Sequence, residues 1–368
     1  MKRVKFLSKN FFLIILFSCC SISLTAQIST LGEFFAGGVS DAGKLFEAYI
    51  TPWANAIGTS LSGGWYNTAK PHKLGGFDIT LTANIAFVPE DAKSFDLADL
   101  GLSTNVDLPS GSTMAPTVAG ETTSGPELTY LIDGQYEVAS LNTPQGTGVG
   151  LMATPMVQLG LGLVKGTEIN FRFFPNVKLG KYGKLGLWGI GGKHSIKQWI
   201  PALDKVPVLN LSLMAGYTKF SSSFNLSVAP EDIDSRPAFD RTTDAISFDD
   251  QTLDLTVKSF TMNILVSANL PIVCFYGGLG IANTKTELGL AGYYPIPTIV
   301  LPSTTPEVND NSATKDPVSL EIENNDGKPT KPRINVGMRL KFGPVTIHGD
   351  YTYAHYSNVT AGLGISFR

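Results

Sequence analysis

Four histidines, three cysteines and a set of regularly spaced charges are the places where this chain could do chemistry. His72, His194, His348 and His355 share no helical spacing and stand beside no cysteine pair, so they do not read as metal ligands. "GTGVG" at 146–150 and "GIGGK" at 189–193 lack the spacing and the following helix of a phosphate-cradling loop, and His194 stands where Ser or Thr would hold magnesium. No serine is marked out as a nucleophile. The chain therefore reads as a non-enzyme without cofactor or metal. What remains is charge at one strand parity: Arg172, Arg333, Arg339, Lys341, His348 and Asp350. Such a set either fills and stiffens a narrow interior or forms a polar constriction that selects a solute.

The elements that carry these residues are strands. "RINVGMRLKF" puts Ile334, Val336, Met338, Leu340 and Phe342 on one face and Arg333, Asn335, Arg339 and Lys341 on the other. A basic side chain facing lipid at mid-depth costs about 2–4 kcal/mol, so inverting this strand would cost up to ~6–12 kcal/mol for its three basic residues. The charges must point inward. The final stretch "NVTAGLGISFR" alternates in the same way, with apolar side chains at the odd positions and small or polar ones at the even positions.

Similar runs cover 77–88, 152–164, 168–178, 184–195, 208–228, 251–270, 272–292, 333–342, 345–356 and 358–367. Most have the ten or so residues a tilted strand needs to cross a bilayer. If 208–228, 251–270 and 272–292 are single strands, the long connections 89–150, 229–250 and 293–332 all fall on one side. The turns near 165–167, 269–271 and 343–344 then fall on the other, as in an outer-membrane barrel with a periplasmic C-terminus. The alternation slips phase near Ser221, Lys258 and Thr284, which reads as bulges or as extensions above the membrane. "ELTYLIDGQYEV" reads as a hairpin around Asp133-Gly134 or as two further barrel strands.

Composition agrees. Charged residues make up 16% of 368, Gly occurs 38 times and the net charge is -3, which gives no basic field for nucleic acid. Lys2, Arg3, Lys5 and Lys9 precede the apolar run "FFLIILFSCCSISLTA", so residues 1–26 read as a secretory signal cleaved at Ala26, or as a lipoprotein signal using Cys19. Cleavage at Ala26 would leave Cys274 alone and exclude an internal disulfide.

Residues 27–76 are a separate segment. "DAGKLFEAYITPWANAIG" sets Leu45, Phe46, Tyr49, Ile50, Trp53 and Ile57 at helical spacing, with Pro52 expected to bend the helix, and a Gly-rich connection follows. Phe46, Tyr49, Trp53, Trp65 and Tyr66 are expected either inside the barrel, where they would shape a pocket for a hydrophobic ligand, or at its rim.

At "GGWYNTAKPHKLGGFDITLTANIAFVP", "PQGTG", "TPMVQLGLGLVKGTEI" and "KHSIKQWIP" the sequence resembles an uncharacterised family of secreted β-barrel proteins from Bacteroidota. That resemblance implies location and architecture and carries over no reaction, ligand or site residue. The layout is also similar to the long-chain fatty-acid transporter group, in which an N-terminal plug precedes a barrel that takes up hydrophobic compounds.

The expectation is an all-β chain: a transmembrane antiparallel β-barrel of ten to fourteen strands over 77–368, with 27–76 as helical plug or cap, in the cell outer membrane. Its partners are outer-membrane lipid and a small hydrophobic molecule, with no nucleic acid. The leading expected function is passive uptake of that solute. The alternative is a non-transporting scaffold or surface-binding barrel that serves a secretion machine through its loops.

Overall fold

The computed structural model describes residues 39–132, 136–178, 180, 183–227, 247–294, 298–300, 307–309, 314–323 and 330–367. The expected signal segment, most of the 229–250 loop and the Asp133-Gly134 turn lie outside them.

Ten antiparallel strands close into a barrel. In chain order they are β1 (Phe77–Phe87), β2 (Leu151–Gly162), β3 (Thr167–Lys178), β4 (Gly183–Ser195), β5 (Leu209–Asn225), β6 (Thr252–Asn269), β7 (Val273–Ala291), β8 (Thr330–Phe342), β9 (Val345–Tyr353) and β10 (Asn358–Phe367). Each pairs with its sequence neighbours, and β10 returns to β1, with Phe367 opposite Phe77 and Asn358 opposite Ala86. The strand number settles at the lower bound of the expected range. The "ELTYLIDGQYEV" stretch forms a hairpin, Glu127–Ile132 against Tyr136–Asn142, which joins Val106–Asp107 in a small sheet outside the wall.

Alternation decides which way each strand faces. In β10, Ala361, Leu363, Ile365 and Phe367 are exposed on the outer surface while Asn358, Thr360, Gly364 and Ser366 are buried. In β8, Ile334, Val336, Met338 and Phe342 point out, and Arg333, Asn335 and Arg339 are buried. Around the ring this leaves a continuous outward band that includes Ile79, Leu81, Ile264, Val266, Leu279 and Ile347, each about half exposed. Soluble monomers rarely leave so large an apolar band uncovered. It is the belt of an outer-membrane β-barrel fold, and paired aromatics mark its edges, Phe77 with Phe367 at 5.2 Å and Trp188 with Tyr217 at 5.7 Å.

The three long runs are single strands, and each pairs without a register shift along β5–β6 and β6–β7. No bulge accounts for the phase slips. The strands instead extend past the apolar band, and beyond it the apolar side chains change faces. In β6 the outward set is Phe260, Met262, Ile264 and Val266, whereas Leu253, Leu255 and Val257 have the opposite parity and point inward. β7 changes in the same way, from outward Phe275, Leu279 and Ile281 to buried Leu288 and Leu290.

One helix, α1 (Val39–Ser62), precedes the barrel. It packs against β1, β2, β5, β6 and β7, strands from opposite sides of the ring, and residues 51–58 are buried on every face. Pro52 lies within it, and Thr51 Oγ1 bonds back to the Glu47 carbonyl at 2.5 Å. The 24 residues from 39 to 62 run longer than the expected helical stretch.

Candidate functional site

The site is the barrel interior, and its first feature is where α1 ends. Gly64 takes φ +65°, a left-handed turn suited to glycine just past a helix C-terminus. The last carbonyls of α1 would be left unpaired in the lumen, and two arginines from separate strands meet them. Arg172 of β3 donates Nη1 to Leu61 O at 3.1 Å and Nη2 to Gly63 O at 2.8 Å, and Arg333 of β8 donates Nη1 to Ser62 O at 2.5 Å. Cationic groups at a helix C-terminus offset its partial negative charge, an effect worth about 0.3–1 kcal/mol at a surface and up to ~2 kcal/mol when partly buried. Arg172 is 1% exposed, bonds Gln158 Oε1 through Nε at 2.8 Å and stacks on the Trp65 ring at 3.6 Å.

The wall is thin where the segment presses on it. A Cβ on Gly216 would lie 2.5 Å from Trp65, one on Gly191 2.7 Å from the same ring, and one on Gly278 2.5 Å from the Tyr66 hydroxyl. Glycines at inward positions of β4, β5 and β7 thus make room for the connection that follows α1.

Below them, at the end with short turns, lies a second group that sequence reasoning missed. Glu168 of β3 accepts from Lys193 Nζ of β4 at 2.9 Å, from His72 Nδ1 at 2.7 Å and from the His72 backbone N–H at 2.9 Å. Asp78 lies 3.8 Å from His72 Nδ1, and His72 Nε2 meets Ser366 Oγ at 3.2 Å. His72, Asp78 and Glu168 are close enough to suggest a metal, but Lys193 already neutralises Glu168 and both its carboxylate oxygens are hydrogen-bonded. The signal was available: Asp78, Glu168 and Lys193 are charges at inward parity. Their strands read mainly as alternating patterns, and His72 is nearly a hundred residues from Glu168 in sequence.

The six expected lumen residues do not form one network. Arg172 and Arg333 meet at the helix end. Asp350 accepts from Asn335 Nδ2 at 2.7 Å and Tyr276 OH at 3.0 Å, two residues along β9 from the His348 that faces Arg339 in register. Arg339 donates Nη1 to Asn67 Oδ1 at 2.8 Å, and Lys341 is half-buried nearer the turn.

The five expected aromatics are all buried but fall into three clusters. Phe46 joins Leu45, Leu97, Leu128, Tyr130, Leu288 and Leu290 beneath the long loops, where burial pushes the Tyr130 phenol pKa up and nearby Asp41 adds to the effect. Tyr49 and Trp53 pack with Val88, Val118 and Tyr356, and their polar tips donate to the carbonyls of Gln145 at 2.9 Å and Val149 at 3.1 Å. Trp65 and Tyr66 pack with Met214, Leu265 and Tyr276.

A fourth cluster contains none of them. Ile57 and Leu61 of α1 meet Met156, Leu187 and Val257, with Met152, Phe174, Phe220 and Leu255 around them, all from β2–β6. It borders the weakest seam of the wall. Between β2 and β3 pairing covers only Val157–Gly162 against Glu168–Phe173, so toward the loops Leu151–Met156 and Phe174–Lys178 are not paired with each other, although the first stays on β1 and the second on β4, where the register shifts between Phe174 and Val177. Pro155 and Pro175 stand on the two sides of that gap. Proline has no N–H to give a ladder and belongs at sheet edges and bulges, so the sequence itself opens the seam.

A family of unknown function, DUF6588, matches residues 1–367. The chain belongs to that family. No curated protein matches the DUF6588 chain. Among solved structures it is similar to the translocator domain of the autotransporter NalP from Neisseria meningitidis, at 12% identity and a TM-score of 0.31, covering 88% of this chain and 99% of that one. It is also similar to the Ralstonia pickettii toluene transporter TbuX, at 7% identity and a TM-score of 0.25, covering 85% and 97%.

Proposed function

We propose that this chain is an outer-membrane carrier for a small hydrophobic solute, with residues 39–76 as its plug and the β2–β3 seam as its exit into lipid. The observation that carries the reading is the apolar cluster of Ile57, Leu61, Met156, Leu187 and Val257, enclosed by the wall yet bordering the stretch where wall pairing lapses. An apolar molecule held there meets side chains it can replace one for another, at about 25 cal/mol per Å2 of apolar surface covered. Passage straight down the barrel would instead cross the Arg172, Arg333 and Glu168–Lys193 layers, where an apolar molecule would break buried polar contacts. A sideways route through the seam avoids them.

The test is uptake of a labelled monoaromatic or aliphatic compound by liposomes carrying the full chain, a form lacking 28–70, and a seam-repaired Pro155→Val/Pro175→Val form. The reading expects uptake above protein-free liposomes by the full chain and less by the repaired form. Uptake no different from empty liposomes with and without residues 28–70 would end it.

A further inference from the structure

A different face of the lumen holds polar groups that the plug and the wall leave unused. Arg339 of β8 and His348 of β9 are directly opposite in register, which sets their Cβ atoms about 4.5–5.5 Å apart on the inner face near the turn end. Both are at least nine-tenths buried, at 4% exposure each. Among the described residues, neither ring nitrogen of His348 has a hydrogen-bond partner, and neither does Nε of Arg339. The guanidinium makes its one described hydrogen bond, to Asn67 Oδ1, through Nη1. No described carboxylate forms an ion pair with it: Glu168 is engaged by Lys193 and His72, Asp78 lies against His72, and Asp350 by Asn335 and Tyr276. Lys341, two positions along the same face, adds positive charge. Space is provided by Gly362, where a Cβ would lie 2.2 Å from His348 Cε1, so only a glycine lets the imidazole lie over β10.

We propose that Arg339 and His348 form a binding site for a small oxyanion, a carboxylate or phosphate group. A buried cation with no carboxylate in direct contact is costly, and a guanidinium edge with a free Nε matches the two oxygens of such a group in a charge-assisted, bidentate pair. His348 supplies a further N–H in either protonation state. Asn67 belongs to the connection after α1, so Arg339 holds that segment through Nη1 while its Nε edge is left for the anion. The site does not depend on the barrel carrying a hydrophobic solute.

The test uses the purified full chain in detergent, with its histidine rings followed by NMR while acetate or inorganic phosphate is added, and chloride at matched ionic strength as control. The chain has four histidines, so the spectrum is simple, and His348→Gln assigns the signal. One imidazole signal, His348, should shift saturably with acetate, phosphate or both. The acetate and phosphate arms separate the two anion types. Arg339→Gln should weaken binding about tenfold or more, the size expected for loss of one charge-assisted pair. Should that variant fold poorly, Arg339→Lys provides the second reading, since it keeps the charge but loses the two-pronged edge and should also weaken binding. No shift of the His348 signal, an equal shift with chloride, or affinity unchanged in both variants would overturn the proposal.

Discussion

At the turn end the inner faces of β1, β3 and β4 hold Asp78, Glu168 and Lys193, buried among hydrogen bonds that tie down the chain around His72. Toward the loops the inner faces of β4, β5 and β6 hold Leu187, Phe220 and Val257 against Ile57 and Leu61, with no directional bond among them. One segment, residues 39–76, passes both regions, and the difference tells which end is fixed and which can yield. A buried ion pair fails abruptly when one partner is lost, whereas an apolar cluster tolerates rearrangement among side chains of similar volume. The lower part of the segment is therefore the better anchored, and the upper part, beside the β2–β3 seam, is where the proposed carrier would accommodate its guest.

The sharpest way to break this contrast is Glu168→Gln. It leaves the Lys193 ammonium buried without its counter-charge, and the expected loss is about 3–5 kcal/mol, read from unfolding in detergent. Glu168→Gln with Lys193→Met should recover most of that loss, since a paired removal leaves no lone charge. A single and a double variant of equal stability would mean that the pair is not the anchor.

Leu187→Ala probes the opposite region. Removal of a buried leucine costs about 2–5 kcal/mol, and here the lower part of that range is expected, because half-buried Met152, Phe174 and Phe220 can move into the space. The same variant should change which solute size the barrel accepts. A loss at the upper limit with no change in uptake would make the cluster an ordinary core.

The packing between these regions is tested by Gly216→Ala. The new methyl must displace Trp65, for a cost of about 1–3 kcal/mol, and should free the indole from its stack on Arg172. Tryptophan fluorescence in a Trp53→Phe/Trp188→Phe/Trp199→Phe background would report this as a red shift. An unshifted spectrum would mean that the wall, not the segment, gives way.

Much of this contrast was legible in the sequence, and the rest was hidden for identifiable reasons. Strand parity is a local property with period two, so the inward direction of Arg172, Arg333, Arg339 and His348 follows from alternation alone. The helix was also legible from the spacing of Leu45, Phe46, Tyr49 and Trp53. The grouping of its aromatics into three clusters was not, because it depends on where α1 sits relative to strands hundreds of residues away. The phase slips at Ser221, Lys258 and Thr284 are visible in the alternation, which leaves bulges and extensions above the membrane equally open, and the structure takes the second. They are the points where a regular strand leaves the apolar belt, so that greasy side chains turn from the outside to the core beneath the loops.

The seam gives the finest test, because it separates openness of the wall from apolarity of the interior. Pro175→Val restores an N–H at the point where β3 leaves β2 and should raise stability by no more than about 1 kcal/mol, the scale of one added hydrogen bond. If the exit lies there, uptake should fall although the protein becomes slightly more stable and the apolar cluster is untouched. Hydrogen exchange of the backbone amides at 151–156 and 174–178 reports on the wall directly: slower exchange with lower uptake ties passage to the seam. Slower exchange with unchanged uptake would move the route elsewhere and leave the apolar cluster as a closed compartment.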